Sequence, residues 1–222
     1  MRTHLPHFLA ILAILPVALA IACGNAGAAV PLPDPEEHAP LALAPARDTA
    51  VFAGGCFWGI EAVFEHVKGV VSSVSGYSGG NAATANYETV SSGSTGHAES
   101  VQVIYDPSVV TYGQLLKVFF SVAHNPTELD RQGPDWGTQY RSAIFYANAA
   151  QEKEAKAYIA QLTKAKVFPA PIVTQVVPLK AFYPAEAYHQ DYLEKHPTQP
   201  YIVYNDIPKV EALKANYPEL YK

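Results

Sequence analysis

Cys56 is one of only two cysteines in the chain, and its neighbours Gly54-Gly55-Cys56-Phe57-Trp58-Gly59 set it where a thiol can react. Val51-Phe52-Ala53 reads as a short strand running into the glycine pair. Beyond it, Phe57, Ile60, Val63, Phe64 and Val67 recur at helical spacing. Cys56 is therefore predicted at a helix N-terminus, where unpaired N–H groups carry partial positive charge and favour thiolate over thiol. Paired glycines allow a sharp turn that leaves the sulfur uncovered. Taken alone, the pattern fits a small buried hydrophobe equally well.

Glu99 follows His97-Ala98 at the mouth of the apolar strand Ser100–Tyr105. It reads either as a solvated strand-end carboxylate or as a carboxyl pressed into apolar surroundings, protonated and able to donate. The spacing of His97 and Glu99 matches the His-x-Glu of zinc deaminases. That chemistry needs Pro-Cys-x-x-Cys downstream, and no cysteine follows Cys56. No other grouping has metal-ligand spacing, so no metal is expected. His124 and His189 are the bases available to a thiol hydrolase, although a lone histidine is more often structural. Trp58, beside the cysteine, suits a core or a pocket wall. The Gly/Ser/Thr-rich loop from Ser78 to Gly96 has no Gly-Lys-Ser/Thr after it and is not a phosphate loop.

The net charge is -5 and the 15 Lys and Arg are scattered, so no basic patch suggests nucleic acid. Length and apolar content suit one globular domain over residues 48–222. At the N-terminus, Arg2 precedes an apolar run from Phe8 to Ala22 broken by Pro16. This is short for a membrane span and suits a signal peptide over residues 1–22. Ala20 and Ala22 offer a cleavage site before Cys23. Leu19–Cys23 also resembles a bacterial lipoprotein signal, in which Cys23 would be lipidated, although Ala20 stands where a larger aliphatic residue is usual. Residues 23–47 are rich in Ala and Pro and read as an extended linker or tether, not structure. Export to a periplasmic or membrane-anchored location would leave Cys56 without a partner. A free thiol kept in an oxidising compartment points to reactivity.

The elements that must position these groups follow in order. Val70–Tyr77 alternates as a strand, and Asp106-Pro107 stops the strand Ser100–Tyr105. Tyr112–Val122 reads as a helix, and Ala123 to Arg141 as a long irregular stretch of the kind that carries function. Then come a strand at Ser142–Tyr146, a helix at Ala149–Lys164, a strand at Ile172–Val177 and a helix at Ala185–Lys195. The tail from Thr198 reads as a surface wrap. The first six elements follow the split β-α-β plan. The expected fold is an α+β, ferredoxin-like sandwich with a mixed sheet, helices on one face and long irregular C-terminal segments.

Five motifs in order carry a resemblance: Gly54–Gly59, Gly-Tyr-Ser-Gly-Gly at 76–80, Gly-His-Ala-Glu at 96–99, Gly-Thr-Gln-Tyr-Arg-Ser at 137–142 and Tyr-His-Gln-Asp-Tyr-Leu at 188–193. The chain from about residue 49 to about 205 resembles the peptide methionine sulfoxide reductase A family. The resemblance implies that Cys56 attacks the sulfoxide sulfur and that Glu99 protonates the departing oxygen. Tyr87 and Tyr140 would hydrogen-bond that oxygen, Phe57 and Trp58 would cradle the methyl group, and Asp135 would support the polar network through water. It implies a metal-free repair enzyme, acting as a monomer on the S epimer, free or in oxidised proteins. Its reductant would be an external thiol, a thioredoxin-like protein or glutathione. A neutral acid beside a thiolate is the pair such chemistry needs, because a sulfoxide oxygen leaves poorly unless protonated.

Two departures stand out. Asn125 replaces the more usual aspartate of His-Asp-Pro-Thr. The extra cysteines of many relatives, which attack the sulfenic acid on the nucleophile, are missing: position 91 is Ser and the tail has none. Two rival readings remain, a cysteine hydrolase using Cys56 with His189 and a tethered peptide-binding module.

Overall fold

The computed structural model describes residues 32–222. The expected signal peptide, Cys23 and the start of the linker lie outside the described residues. In chain order the strands are β1 (Asp48–Ala53), β2 (Val70–Ser78), β3 (Ala98–Tyr105), β4 (Arg131–Gln132), β5 (Asp135–Trp136), β6 (Ala143–Tyr146), β7 (Gln175–Pro178) and β8 (Phe182–Pro184). The helices are α1 (Phe57–Glu65), α2 (Tyr87–Val90), α3 (Tyr112–Val118), α4 (Ala149–Ala165), α5 (Tyr192–Lys195) and α6 (Ile207–Asn216).

Six strands form one mixed sheet in the order β7-β6-β1-β3-β2-β8. Its centre, β6-β1-β3-β2, is antiparallel throughout and has the split β-α-β order. Strand β7 is added parallel to β6, and β8 antiparallel to β2. Alternation along β1 sends Ala50 and Phe52 into the main core with α1, α3 and α4, and sends Val51 and Ala53 to a small cluster on the opposite face. Along β3, Glu99 has the parity of Val101, Val103 and Tyr105, which all face the main core. Strands β1 and β3 are antiparallel, and the pair nearest the site is Phe52 with Val101. Two residues further on, the chains reach Gly54 and Glu99. The turn into α1 and the carboxyl are thus brought to one edge of the sheet by strand register.

Several expectations are corrected. Strand β3 begins at Ala98, so Glu99 lies inside it, paired with Tyr77, and not at its mouth. The helix at 112 is α-helical only to Val118 and continues as one π turn over Phe119–Ala123. The stretch 123–141 holds a two-stranded hairpin, β4-β5, and a 3-10 turn at Thr138–Tyr140. The helix expected at 185–195 is broken. A 3-10 turn at Ala187–His189 and α5 are separated by Asp191, whose φ of 52° is left-handed. Strand β8 was not foreseen.

The tail is no surface wrap. A π turn at Ile202–Asp206 runs into α6, which carries the fully buried Leu213. The signals for α6 were local: Pro208 in its first turn and Lys214 in its last. Residues 32–47 have no regular element, but the first of them are docked, not free. Leu32 is buried and donates its N–H to the Tyr217 hydroxyl at 3.2 Å. Tyr158 donates to the Pro33 carbonyl, and Lys117 pairs with Asp34 at 2.7 Å. No described helix is long and apolar enough to cross a membrane.

Candidate active site

Cys56 is the N-cap of α1, and the geometry behind it explains both glycines. Gly55 has φ 102°, and a Cβ there would come within 2.6 Å of the Gln132 side chain. A Cβ on Gly54 would reach 2.7 Å from the His124 ring. The turn is therefore packed on one side by the β4-β5 hairpin and on the other by the end of the π turn. Cys56 opens into a pocket of about 170 Å³. Phe57 and Trp58 from α1, Tyr87 from α2 and Glu99 from β3 line it, together with Asp135 from β5, Tyr140 from the 3-10 turn and Tyr201 from the tail.

Glu99 is 2% exposed and accepts one hydrogen bond, from the Phe57 backbone N–H at 3.1 Å. Burial pushes its carboxyl up to about 8, with Asp135 and Asp206 adding to the rise and the Phe57 bond opposing it. At neutral pH it holds a proton. The thiolate expectation for Cys56 is corrected. Burial raises the thiol well above its ordinary value, nearby Asp206 and Asp135 raise it further, and so does Glu99 whenever it is ionised. The Trp58 backbone N–H, which opposes them, does not win. One helix N-terminus is worth about 1 kcal/mol or less, too little to offset burial beside several carboxyl groups.

The aromatic wall is braced from outside the pocket. The Trp58 indole N–H donates to His189 Nδ1 at 3.1 Å, and its ring stacks on Tyr192 at 3.7 Å. The Phe57 ring packs against Tyr77 and His189. His189 is 1% exposed and burial lowers its basicity, so it is a neutral support for Trp58. His124 bonds the Phe119 carbonyl at 2.9 Å and Ser142 Oγ at 2.7 Å, and burial pushes it down to about 3. Neither histidine is free to serve the thiol as a base. His97 is likewise occupied, at Gly80 N and the Asn81 carbonyl, which closes the zinc reading.

The two hydroxyls come from separate loops tied together. Tyr87 donates its backbone N–H to Glu186 at 2.9 Å, and Tyr140 belongs to the turn whose Gln139 and Thr138 donate to Ser91 and Gly93. Arg141 closes the same loops by donating to the carbonyls of Gly96 and His97. Burial raises both phenols, which stay neutral donors. Asp135 accepts from the Tyr201 hydroxyl at 2.5 Å. Asn125 has a defined place as well: its side-chain oxygen caps Thr127, and its backbone clamps the Gln132 amide. An aspartate oxygen would make the same cap.

Sequence reasoning missed Tyr201 because the segment that carries it reads as loop. Away from the pocket, Glu61, Glu65 and Asp191 bring carboxyl oxygens within 4.8 Å of one another. Burial raises Glu61 to about 7 and Glu65 to about 8, so these two glutamates take up protons near neutrality. Glu61 is also held by Ser75, through N–H and hydroxyl.

Comparison with known proteins finds a match to the family model described as peptide methionine sulfoxide reductase over residues 48–220. The peptide methionine sulfoxide reductase MsrA 2 of Mesorhizobium japonicum is 65% identical over 178 residues, covering 80% of this chain and 91% of that protein. Among solved structures, methionine sulfoxide reductase A of Corynebacterium diphtheriae superposes with a TM-score of 0.60 at 37% identity, covering 77% of this chain and 85% of that one. The reduced form of Mxr1 from Saccharomyces cerevisiae does so with a TM-score of 0.61 at 36% identity, over 69% of this chain and 87% of its own.

Proposed function

The chain belongs to the peptide methionine sulfoxide reductase family, and from that premise we propose how its pocket carries out the reaction. The enzyme is an oxidoreductase that returns methionine sulfoxide to methionine with thiols as the source of electrons, and so repairs oxidised proteins. The observation that carries the mechanism is the pairing of Cys56 with a protonated Glu99 in one small pocket lined by aromatic side chains.

Substrate binds with its S-methyl group against Phe57 and Trp58 and its oxygen toward Glu99, Tyr87 and Tyr140. Contact limited to the sulfoxide and its methyl group accepts methionine in many sequence contexts. The Cys56 sulfur bonds to the sulfoxide sulfur as the thiol gives up its proton, and Glu99 protonates the oxygen. The hydroxyl then passes to Cys56, methionine leaves, and the thiol proton restores Glu99. Methionine has gained two electrons and Cys56 has become a sulfenic acid. One external thiol displaces water to form a mixed disulfide. A second releases Cys56 and leaves as disulfide. The reductant is a thioredoxin-like protein or a small thiol such as glutathione, since Cys56 has no partner thiol among the described residues. The substrate is the S epimer, no bound cofactor or metal takes part, and the enzyme acts as a monomer.

The deciding experiment is a single turnover without added thiol, using purified protein and separated epimers. One methionine per chain from the S epimer, with one oxygen added at Cys56 by mass, is the expected result. No methionine and an unmodified Cys56 in folded protein would return the chain to the hydrolase or binding readings. Residues 1–22 are read as an export signal and Cys23 as a lipidation site, which would place the enzyme at the cell envelope. Labelled fatty acid on the wild-type chain and not on Cys23→Ala is the outcome expected.

A further inference from the structure

The tail delivers two polar groups to the catalytic end of α1. A π turn separates them, a feature that often marks functional sites. Tyr201 precedes it and lines the pocket, its hydroxyl 2.5 Å from Asp135 Oδ2 and its ring edge-on to Trp58 at 5.9 Å. Asp206 ends it, fully buried against Gly59 in the first turn of α1 and paired with Lys209 at 3.1 Å.

We propose that Tyr201 is a positioning residue of the reduction, whose hydroxyl holds the Asp135 carboxylate ionised and fixed in the pocket wall, so that Glu99 keeps its proton. The inference rests on the reductase reading of the same pocket. A hydrogen bond donated to a carboxylate favours its charged form, and a carboxylate held ionised disfavours a second negative charge nearby. Two carboxyl groups with separated environments are how one site keeps an acid neutral at working pH.

The groups facing Asp135 divide accordingly. Burial raises the Asp135 carboxyl above its ordinary value, and the Tyr201 hydroxyl and Lys209 oppose that rise and favour its charge. The groups facing Glu99 are the Phe57 N–H and Cys56 from α1, Asp135 from β5 and Asp206 from the tail. Tyr77, Tyr87 and Tyr140 complete its surroundings. Of these, Asp135 is the carboxylate in the pocket wall whose position depends on a single hydroxyl. Without that bond it is free either to take up a proton or to turn toward water, and each relieves the repulsion on Glu99.

The test compares the full chain with Tyr201→Phe, Asp135→Asn and the double variant. Tyr201→Phe keeps the ring against Trp58 and removes only the hydroxyl. The readout is kcat/KM from pH 5 to 10 with methionine S-sulfoxide and dithiothreitol. Wild type should lose activity as pH rises through the Glu99 range. Tyr201→Phe should move that limb to lower pH by roughly one unit, and adding it to Asp135→Asn should move it no further. A Tyr201→Phe limb that overlays wild type, or shifts that add in full in the double variant, would overturn the proposal. If wild type itself makes no methionine, the reductase reading fails instead.

Discussion

Burial raises both the Cys56 thiol and the Glu99 carboxyl, and in the proposed reaction this puts the proton destined for the sulfoxide oxygen in place before substrate arrives. Glu99→Gln tests this directly. The amide oxygen still accepts from the Phe57 N–H, but no proton can be given. The expected loss in single-turnover rate is about 10²–10⁴-fold, the usual worth of a positioned acid. The fall in activity near pH 8 should disappear with it. His189→Ala should be milder, because it removes the acceptor for the Trp58 indole and loosens one wall without touching the proton donor. An inactive His189→Ala beside an active Glu99→Gln would reverse these roles and favour a histidine-assisted hydrolase. Cys56, Phe57, Trp58, Glu99 and Tyr140 were legible in the sequence because short motifs hold them, while Tyr87 and Asp135 came only with the family resemblance. The protonation state of Cys56 was not legible, because it depends on carboxyl groups from β3, β5 and the tail, far apart in the chain.

Packing of the tail against α1 decides how the elements respond to change. Gly59 sits in the first turns of α1, where replacing glycine by alanine ordinarily gains about 1 kcal/mol of helix stability. Here the added methyl would collide with the buried Asp206 carboxylate and approach Lys209 Nζ to 2.8 Å. Gly59→Ala should therefore destabilise the protein, as read by a lower midpoint of urea unfolding. A higher midpoint would mean that α6 is not anchored there. Leu213→Ala should cost about 2–5 kcal/mol if α6 is part of the core, against about 0.5 kcal/mol or less for a residue on a surface wrap. The α6 signals are weak because its apolar face is narrow. The break at Asp191 was hidden for another reason: Tyr188–Leu193 reads as continuous helix until Tyr192 must turn to stack on Trp58.

Across the whole molecule, the raised carboxyls of Glu61, Glu65 and Glu99 make stability depend on pH. Their folded-state values lie above those of the unfolded chain, so the folded state binds more protons between the two. Their contribution is fully favourable below about 4.5 and is lost as pH rises through about 7 to 8. The Tm should fall from pH 6 to pH 9, and Glu65→Gln should flatten part of that fall. An unchanged slope would show that Glu65 does not take up its proton in this range. At this scale the division between sequence and structure follows from the range of the forces. Alternation, capping and turn residues act within a few positions, so the sequence by itself determined the βαββαβ core and the helix that begins at Cys56, and its family resemblance supplied the candidate side chains. Burial and charge act between elements distant in the chain. Only the tertiary structure decided that Glu99 lies inside β3 and keeps its proton, that Cys56 rests as a thiol, and that Tyr201 and Asp206 of an apparent loop complete the site.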